Sequence, residues 1–156
     1  MASIRLALYQ PDIPQNTGAL LRTAACLGVP VEIIEPCGFV FDEKRMRRAG
    51  MDYLESVALT RHAGWSDFQA AYPDCRRILL TTRAESAYTA FRFAPGDILL
   101  TGRESAGVPD EVHTEAQARI AIPMAPELRS LNLAAAAAMV LGEALRQLDA
   151  FPGGNT

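Results

Sequence analysis

The sequence contains few of the residues that build metal sites and disulfide frameworks. It has two histidines and three cysteines among 156 residues, and the cysteines Cys26, Cys37 and Cys75 are far apart. This odd number and wide spacing fit neither a disulfide scaffold nor a zinc site, so we expect small, buried or half-buried cysteines. Because the two histidines are also far apart, no metal is predicted.

Long hydrophobic runs are also missing. No apolar segment is long enough to cross a bilayer, and the N-terminus lacks the three-part pattern of a signal peptide. The sequence therefore predicts a cytoplasmic protein with no membrane partner. Its length suggests one domain, residues 1–156, in which the segment 151–156, with Pro152 and two glycines, is frayed.

The usual nucleotide-binding signatures of α/β proteins are absent. No Gly-x-Gly occurs, which excludes the dinucleotide fingerprint. Gly102 and Gly107 have the spacing of a phosphate loop, but Val108 and Pro109 follow in place of lysine and serine or threonine. A nucleophile elbow is missing too, which argues against a serine hydrolase.

The net charge of −3 argues against a protein that binds nucleic acid over its whole surface. The charge is uneven, however. A basic cluster is formed by Lys44, Arg45, Arg47 and Arg48, with Arg61 and His62 further along. Such a cluster could follow a phosphate backbone or could simply be a solvated helix face, and the pattern alone leaves both open.

Apolar runs and helical periodicities alternate along the chain, which predicts an α/β fold. Strands are predicted at residues 4–9, 31–34, 57–60, 77–82, 97–101 and 118–122. Helices are predicted from a cap at Asn16 to about Gly28, at 65–72 and 110–117, and finally to Leu148 after candidate caps Ser130 and Asn132. The segment 38–48 is expected to be a loop with one or two basic helical turns. The alternation predicts a mostly parallel sheet with helices on both faces.

Three loops near strand ends carry the candidate site. The first holds Asn16 and Gly18, with Arg22 one helical turn further on; the second is 102–109 and contains Glu104; the third is 122–133. Ligands of α/β proteins usually bind at such strand ends. Each loop alone could be an ordinary cap, a turn or the last βα connection of a compact domain. All three together, in this order, are a specific signal.

Together the loops resemble the SpoU-type members of the SPOUT methyltransferases, which methylate ribose 2′-hydroxyls in RNA. The shared motifs are Asn16, Gly18 and Arg22, then Gly-x-Glu-x-x-Gly at 102–107, then Ile-Pro-Met at 122–124 and Arg-Ser-Leu-Asn at 129–132. The likeness covers essentially the whole chain. Residues 33–36, 38–39, 42–45, 47–50 and 52–53 resemble the minimal branch that methylates the wobble ribose of tRNA, at cytidine or uridine 34.

The resemblance implies a C-terminal deep trefoil knot, a homodimer, tRNA as partner and S-adenosylmethionine as cofactor, with S-adenosylhomocysteine as product. Implied cofactor contacts are Leu80, Gly102, Ile122, Ser130, Met124 and Leu131. Implied catalytic residues are Arg22, Asn16 and Glu104, and implied RNA contacts are Arg129, Arg47, Arg48 and His62. A guanidinium keeps its proton at neutral pH, so for Arg22 we favour stabilising negative charge over acting as a base.

The sequence departs from the family pattern at Thr101, Arg103, Ala134 and Gly142. Gly142 stands inside the last helix, near the expected dimer contact, where glycine costs about 1 kcal/mol relative to alanine. Three alternatives stay open at this level. The chain could act on another RNA, could be a non-catalytic RNA-binding relative, or could be a small-molecule α/β enzyme.

Overall fold

The computed structural model describes residues 2–42, 44, 46, 52–84, 86–128 and 131–153, without the side chains of Asp52 and Tyr53. Its strands are β1 Ile4–Tyr9, β2 Val31–Ile34, β3 Leu59–His62, β4 Arg77–Leu80, β5 Ser86–Ala87, β6 Asp97–Thr101 and β7 Ala118–Ala121. Its α-helices are α1 Pro14–Leu27, α2 Trp65–Ala71, α3 Asp110–Glu115 and α4 Leu133–Leu148, and a 3-10 helix spans Asp52–Ser56.

The strands form one sheet in the order β3-β2-β1-β6-β4-β7-β5, and every strand pairing within it is parallel. The predicted α/β class and parallel sheet are confirmed. Since all strands run the same way, their carboxyl ends meet along one edge. The loops after β4, β6 and β7 therefore lie side by side, although up to forty residues of sequence separate these strands.

Apolar side chains cover both faces of the sheet. On one face Leu6, Leu8 and Ile120 pack with residues of α1 and α4, and on the other Tyr9 and Leu100 pack with residues of α2 and α3. Alternate residues of one strand point to opposite faces, so a strand buried on both sides reads as a continuous apolar run. This explains why β1, β2 and β6 match their predicted bounds.

The less apolar strands differ from prediction. The strand predicted at 57–60 is Leu59–His62, β4 ends at Leu80 and β7 at Ala121, and the two-residue strand Ser86–Ala87 was not predicted. β3 lies at one edge of the sheet and leaves Thr60 and Arg61 exposed. An edge strand pairs with one neighbour through its backbone and leaves part of its side chains in solvent. Its sequence therefore lacks the apolar pattern from which a strand is predicted.

Helix α1 begins at Pro14 and not after a cap at Asn16. Ile13 is the N-cap residue, no side chain caps the helix, and proline occupies the first turn. Proline is favoured there because its missing N–H would have no intrahelical partner. The predicted cap at Asn16 is therefore wrong. The predicted end is right, since Gly28 adopts the left-handed conformation with φ 67°.

Helix α4 begins after Asn132, whose side-chain oxygen accepts the Ala135 N–H at 3.1 Å. Asn132 is thus confirmed as a cap, while Ser130 lies outside the described residues. Val140 and Leu141 of this helix are fully buried. Burial of this face against the sheet anchors the start of α4, and with it Asn132, at the carboxyl edge.

The three cysteines differ in exposure: Cys37 and Cys75 are half-buried as expected, but Cys26 is exposed. None of the helices in the described part of the chain is both long and apolar enough to span a bilayer. Of the predicted frayed tail, residues 154–156 lie outside the described residues and Phe151 is 46% exposed.

Candidate active site

A cavity of about 650 Å³ opens at the carboxyl edge of the sheet, between the loops that follow β4, β6 and β7. Predicted site residues from all three motif loops line it, namely Asn16, Leu80, Gly102, Glu104, Ile122, Met124 and Leu131. This volume lies within the range of typical small-molecule sites, roughly 300–1,000 Å³. The fold thus brings together positions that are more than one hundred residues apart in sequence.

The loop after β6 folds tightly on itself. Arg103 and Gly107 exchange both backbone hydrogen bonds, at 3.0 and 2.8 Å. A Cβ at Gly102 would lie 2.8 Å from the carbonyl carbon of Gly107, and Gly107 has φ 62°. Both glycines are therefore required by the loop's own geometry. The phosphate-loop spacing noted in the sequence is explained by this turn.

A hydrogen bond between two asparagines joins the first and third loops. The Asn132 amide nitrogen donates to the Asn16 side-chain oxygen at 3.0 Å. Asn132 also caps α4 through its own oxygen, so both ends of its amide are used. Asn16, which does not cap α1, instead fixes the start of α1 against the start of α4.

A pair of carboxyl side chains, Asp12 and Glu104, joins the first and second loops. The Asp12 N–H donates to Glu104 Oε2 at 3.3 Å, and the Glu104 N–H donates to Asp12 Oδ1 at 3.1 Å. The Ser105 hydroxyl also donates to Asp12. Glu104 Oε1 is buried and has no hydrogen-bond partner among the described residues. A buried acceptor left in this state next to a cavity is suited to receive a ligand donor.

The two carboxyl groups of this pair differ in acidity. Burial, and then the hydrogen bond to Asp12, raise the pKa of Glu104 above its usual value. The hydrogen bond with Glu104 lowers the pKa of Asp12. Two close carboxylates repel each other, so one proton is held more tightly by the pair than by a lone acid. Glu104 is the member that keeps this proton to higher pH.

The opposite rim of the cavity carries Arg83 and Asp110. Arg83 Nη1 lies 3.8 Å from Asp110 Oδ1, and the side chains are 58% and 97% exposed. Arg83 Nη2 also lies 3.3 Å from His113 Nδ1. Sequence reasoning missed both rim residues, as well as Asp12. Their only sequence signal was their position close to motif residues or to the end of a predicted strand.

Arg22 does not line the cavity. It lies on the exposed side of α1, whereas Gly18, one turn earlier, is buried. Gly18 therefore faces the protein interior and not the cavity. Arg22 belongs to the same helix as Asn16, which does line the cavity.

His62 is buried, which removes it as a candidate RNA contact. Its side chain is 8% exposed, and Nε2 lies 2.8 Å from Glu32 Oε1. His62 is the last residue of β3, and its ring packs edge-on against the ring of Phe68 in the interior. The other predicted RNA contacts Arg47, Arg48 and Arg129, and the predicted cofactor contact Ser130, lie outside the described residues.

The described residues contain no group of three or more histidine, cysteine, aspartate or glutamate side chains placed to hold a metal ion. The site instead consists of apolar walls, glycine-bearing backbone and a few polar side chains. Such a composition suits an organic ligand that is held by shape and by a small number of hydrogen bonds.

Comparison with known proteins gives consistent results. The sequence matches the SpoU rRNA Methylase family over residues 3–142. It is 60% identical, over 94% of this chain and 92% of the relative, to a protein of Beijerinckia indica subsp. indica named tRNA (cytidine(34)-2′-O)-methyltransferase.

Two solved structures are also similar. One comes from work on 2-OH methylation of C/U34 on tRNA; it has 42% identity and a TM-score of 0.87, with 94% of this chain and 97% of that chain covered. The other is the SpoU methyltransferase AviRb of Streptomyces viridochromogenes in complex with AdoMet. It has 26% identity and a TM-score of 0.83, with 94% of this chain and 58% of that chain covered.

Proposed function

The chain belongs to the SpoU family of RNA methylases, and from that membership we propose that it transfers a methyl group from S-adenosylmethionine to the 2′-hydroxyl of the wobble ribose of tRNA, at cytidine or uridine 34. The observation that carries the proposal is the cavity in which all three motif loops meet. The activity named for the relative that is 60% identical, and matched over nearly its full length, supports the same substrate.

The cavity fits the cofactor in size and in chemistry. Its walls are apolar at Leu80, Ile122 and Met124, and the turn at Gly102 exposes backbone groups that can bind an adenine or a ribose. We propose these residues with Leu131 and Ser130 as the cofactor contacts. When bound, S-adenosylmethionine supplies an electrophilic methyl group on a sulfonium centre, and S-adenosylhomocysteine is the product.

The protein's part in the reaction is to position the ribose and to remove a proton from its 2′-hydroxyl. We assign proton acceptance to the carboxylate of Glu104, because Glu104 lines the cavity and its Oε1 is buried without a hydrogen-bond partner among the described residues. The raised pKa of Glu104 makes its carboxylate a better base than an ordinary glutamate. Asn16 holds the site's loops together, and Arg22 orients the RNA phosphate and stabilises the developing negative charge on the 2′-oxygen.

Several finer features belong to the same proposal. The basic residues Arg47, Arg48 and Arg129 bind tRNA phosphates. The homodimer uses the outer face of α4, where Met139 is 43% exposed beside Gly142. A C-terminal trefoil knot is supported by the strand order, in which β4 lies between β6 and β7. A cytoplasmic location remains a prediction from the sequence.

The test is methyl transfer from labelled S-adenosylmethionine to bulk tRNA that lacks wobble ribose methylation, with the product mapped by nuclease digestion and mass spectrometry. We expect label on the 2′-oxygen of nucleotide 34. Arg22→Ala should abolish transfer and keep cofactor binding, whereas Arg92→Ala, at an exposed arginine near the opposite edge of the sheet, should have no effect.

The possible negative results separate the alternatives. Absence of label in a sample that still binds the cofactor would point to another RNA or to a non-catalytic relative. Absence of cofactor binding would refute the proposal as a whole. Loss of cofactor binding in Arg22→Ala would contradict the separation between catalysis at Arg22 and binding in the cavity.

A further inference from the structure

The charged side chains that line the cavity differ in how firmly neighbouring residues hold them. Among the described residues they are Arg83, Arg103, Glu104 and Asp110. Arg103 is engaged within its own loop, because its Nε donates to the Gly107 carbonyl at 2.9 Å and its guanidinium lies over the ring of Tyr9. Among the described residues, the side chains of Arg83 and Asp110 have a loose mutual contact of 3.8 Å, and Arg83 also contacts His113.

We propose that Arg83 and Asp110 form the subsite for the amino-acid end of S-adenosylmethionine, with Arg83 binding the α-carboxylate and Asp110 binding the α-ammonium group. This inference rests on the proposed function and adds to it the residues that recognise the charged end of the cofactor. It also places the adenosine end along the apolar walls at Leu80 and Ile122.

The chemistry of the two rim side chains is complementary to that end of the ligand. An α-amino acid carries its carboxylate and its ammonium group on one carbon, a few ångströms apart, and the opposite charges of Arg83 and Asp110 are 3.8 Å apart. A guanidinium can bind a carboxylate through two parallel hydrogen bonds. An exposed ion pair contributes little to stability, roughly 0–1 kcal/mol, so exchanging it for contacts with the ligand costs little.

His113 supports the position of Arg83. Partial burial, and then the charges of Arg83 and Arg119, lower the pKa of His113 below its usual value. The neutral ring can therefore accept a hydrogen bond at Nδ1 from Arg83 Nη2, which lies 3.3 Å away. This contact uses Nη2, while Nη1 of Arg83 lies 3.8 Å from Asp110 Oδ1.

The experiment combines protein variants with ligand analogues in calorimetric titrations. The ligands are S-adenosylmethionine, its decarboxylated analogue, which lacks only the carboxylate, and 5′-methylthioadenosine, which lacks the whole amino-acid end. The variants are Arg83→Gln and Asp110→Asn, and Arg92→Gln is the matched control at an exposed arginine outside the cavity. Circular dichroism checks that each variant is folded.

We expect Arg83→Gln to weaken binding of S-adenosylmethionine about tenfold, in line with the loss of a charge-assisted contact. The same substitution should leave the affinities for the decarboxylated analogue and for methylthioadenosine unchanged. Asp110→Asn should weaken both ligands that carry the ammonium group and spare methylthioadenosine. Arg92→Gln should change none of the affinities.

The outcomes distinguish this inference from the function on which it rests. If the wild-type protein binds S-adenosylmethionine and Arg83→Gln binds it equally well, the subsite is refuted and the methyltransferase proposal stands. If Arg83→Gln lost affinity equally for all three ligands, the subsite would also be refuted. Arg83 would then shape the cavity without binding the carboxylate. If the wild-type protein binds none of the ligands, the proposed function fails and the subsite fails with it.

Discussion

Two glutamates lie in contrasting environments. Glu32, in the middle of β2, is 1% exposed, and both of its oxygens have partners. Its Oε1 accepts the Tyr72 hydroxyl at 2.8 Å and contacts His62 Nε2 at 2.8 Å, while Oε2 lies 3.6 Å from Arg5 Nη1. Glu104, at the cavity, has one oxygen bonded to the Asp12 N–H and the other buried without a partner among the described residues.

Glu32 belongs to a polar cluster that stabilises the fold, whereas Glu104 belongs to the site proposed for the reaction. A buried charge is tolerated when partners replace the water that it loses, so the saturated Glu32 cluster holds α2 against β2 and β3. An acceptor left unsatisfied lowers stability unless a ligand completes it. We therefore expect changes at Glu32 to affect folding, and changes at Glu104 to affect the reaction.

The largest effect is expected from Glu104→Gln. The amide keeps the shape of the side chain but cannot take the 2′-hydroxyl proton. The rate of methyl transfer in a single turnover should therefore fall by about 10²–10⁴-fold, the usual contribution of a general base. Rapid-quench assays with saturating cofactor measure this rate, and calorimetry should show cofactor affinity close to that of the wild type.

Glu111→Gln is the matched control, at an exposed glutamate on α3 outside the cavity, and it should keep the full rate. A wild-type rate in Glu104→Gln would remove Glu104 as the proton acceptor. A loss of cofactor binding that accounts for the whole effect would instead make Glu104 a binding residue.

The second prediction concerns the interior. Glu32→Ala removes the shared acceptor of His62, Tyr72 and Arg5, and breaking a buried charge cluster typically costs about 3–5 kcal/mol. Urea denaturation should show a decrease of that size in the free energy of unfolding. Glu35→Ala is the control, because Glu35 forms a more exposed pair with Arg61, and such pairs contribute about 0–1 kcal/mol.

Equal losses in the two variants would show that the buried cluster contributes no more than a surface pair. The folded fraction of Glu32→Ala should still transfer methyl groups at nearly the wild-type rate, since Glu32 does not line the cavity. A large loss of rate per folded molecule would contradict the separation between the two glutamates.

The same contrast shows what the sequence could and could not predict. Glu104 was identified by its motif, and β1 and β6 by apolar runs that burial on both faces produces. His62 was misassigned to the RNA surface because a histidine beside a basic cluster carries no sign of its direction. Only the pairing of β3 with β2, which aligns His62 with Ile34, turns its side chain inwards.

Contacts between segments that are distant in sequence could not be predicted either. Asp12 lies 92 residues from Glu104, and Asn132 lies 116 residues from Asn16. No local periodicity records such a contact, so Asp12 was not predicted and Asn16 was given a capping role that Pro14 makes unnecessary. The motifs predicted loops that line the cavity, but the hydrogen bonds between these loops follow only from the fold.

The third prediction concerns the pH dependence of the reaction. The pKa of Glu104 is raised, first by burial and then by Asp12, so the carboxylate proposed as the proton acceptor becomes protonated when the pH falls below that raised value. The rate of transfer should therefore decrease on the acid side. Asp12→Asn removes the contribution of Asp12 and keeps that of burial. The inflection of the rate profile should therefore move to lower pH.

Carboxyl-carbon NMR of Glu104 gives the same titration without an activity assay. Arg103, Asp110 and Arg83 also line the cavity, and their charges are unchanged by Asp12→Asn, so the shift reports on the pair itself. An unchanged inflection in both measurements would show that the two carboxyl groups do not share a proton.

The smallest effect is expected from Tyr72→Phe. The ring, with the Arg5 guanidinium 4.9 Å from its centre, is retained, and Glu32 Oε1 keeps its contact with His62. The free energy of unfolding should decrease by about 1 kcal/mol, the usual value for one hydrogen bond.

Burial, and then the bond to Glu32, raise the pKa of Tyr72 to about 12. Between the ordinary tyrosine pKa, about 10, and this value, the unfolded chain loses a proton that the folded protein keeps. Wild-type stability should therefore fall as pH rises through this interval, and more steeply than that of Tyr72→Phe. Parallel urea titrations across the interval measure the difference, and identical slopes would mean that Tyr72 does not donate to Glu32.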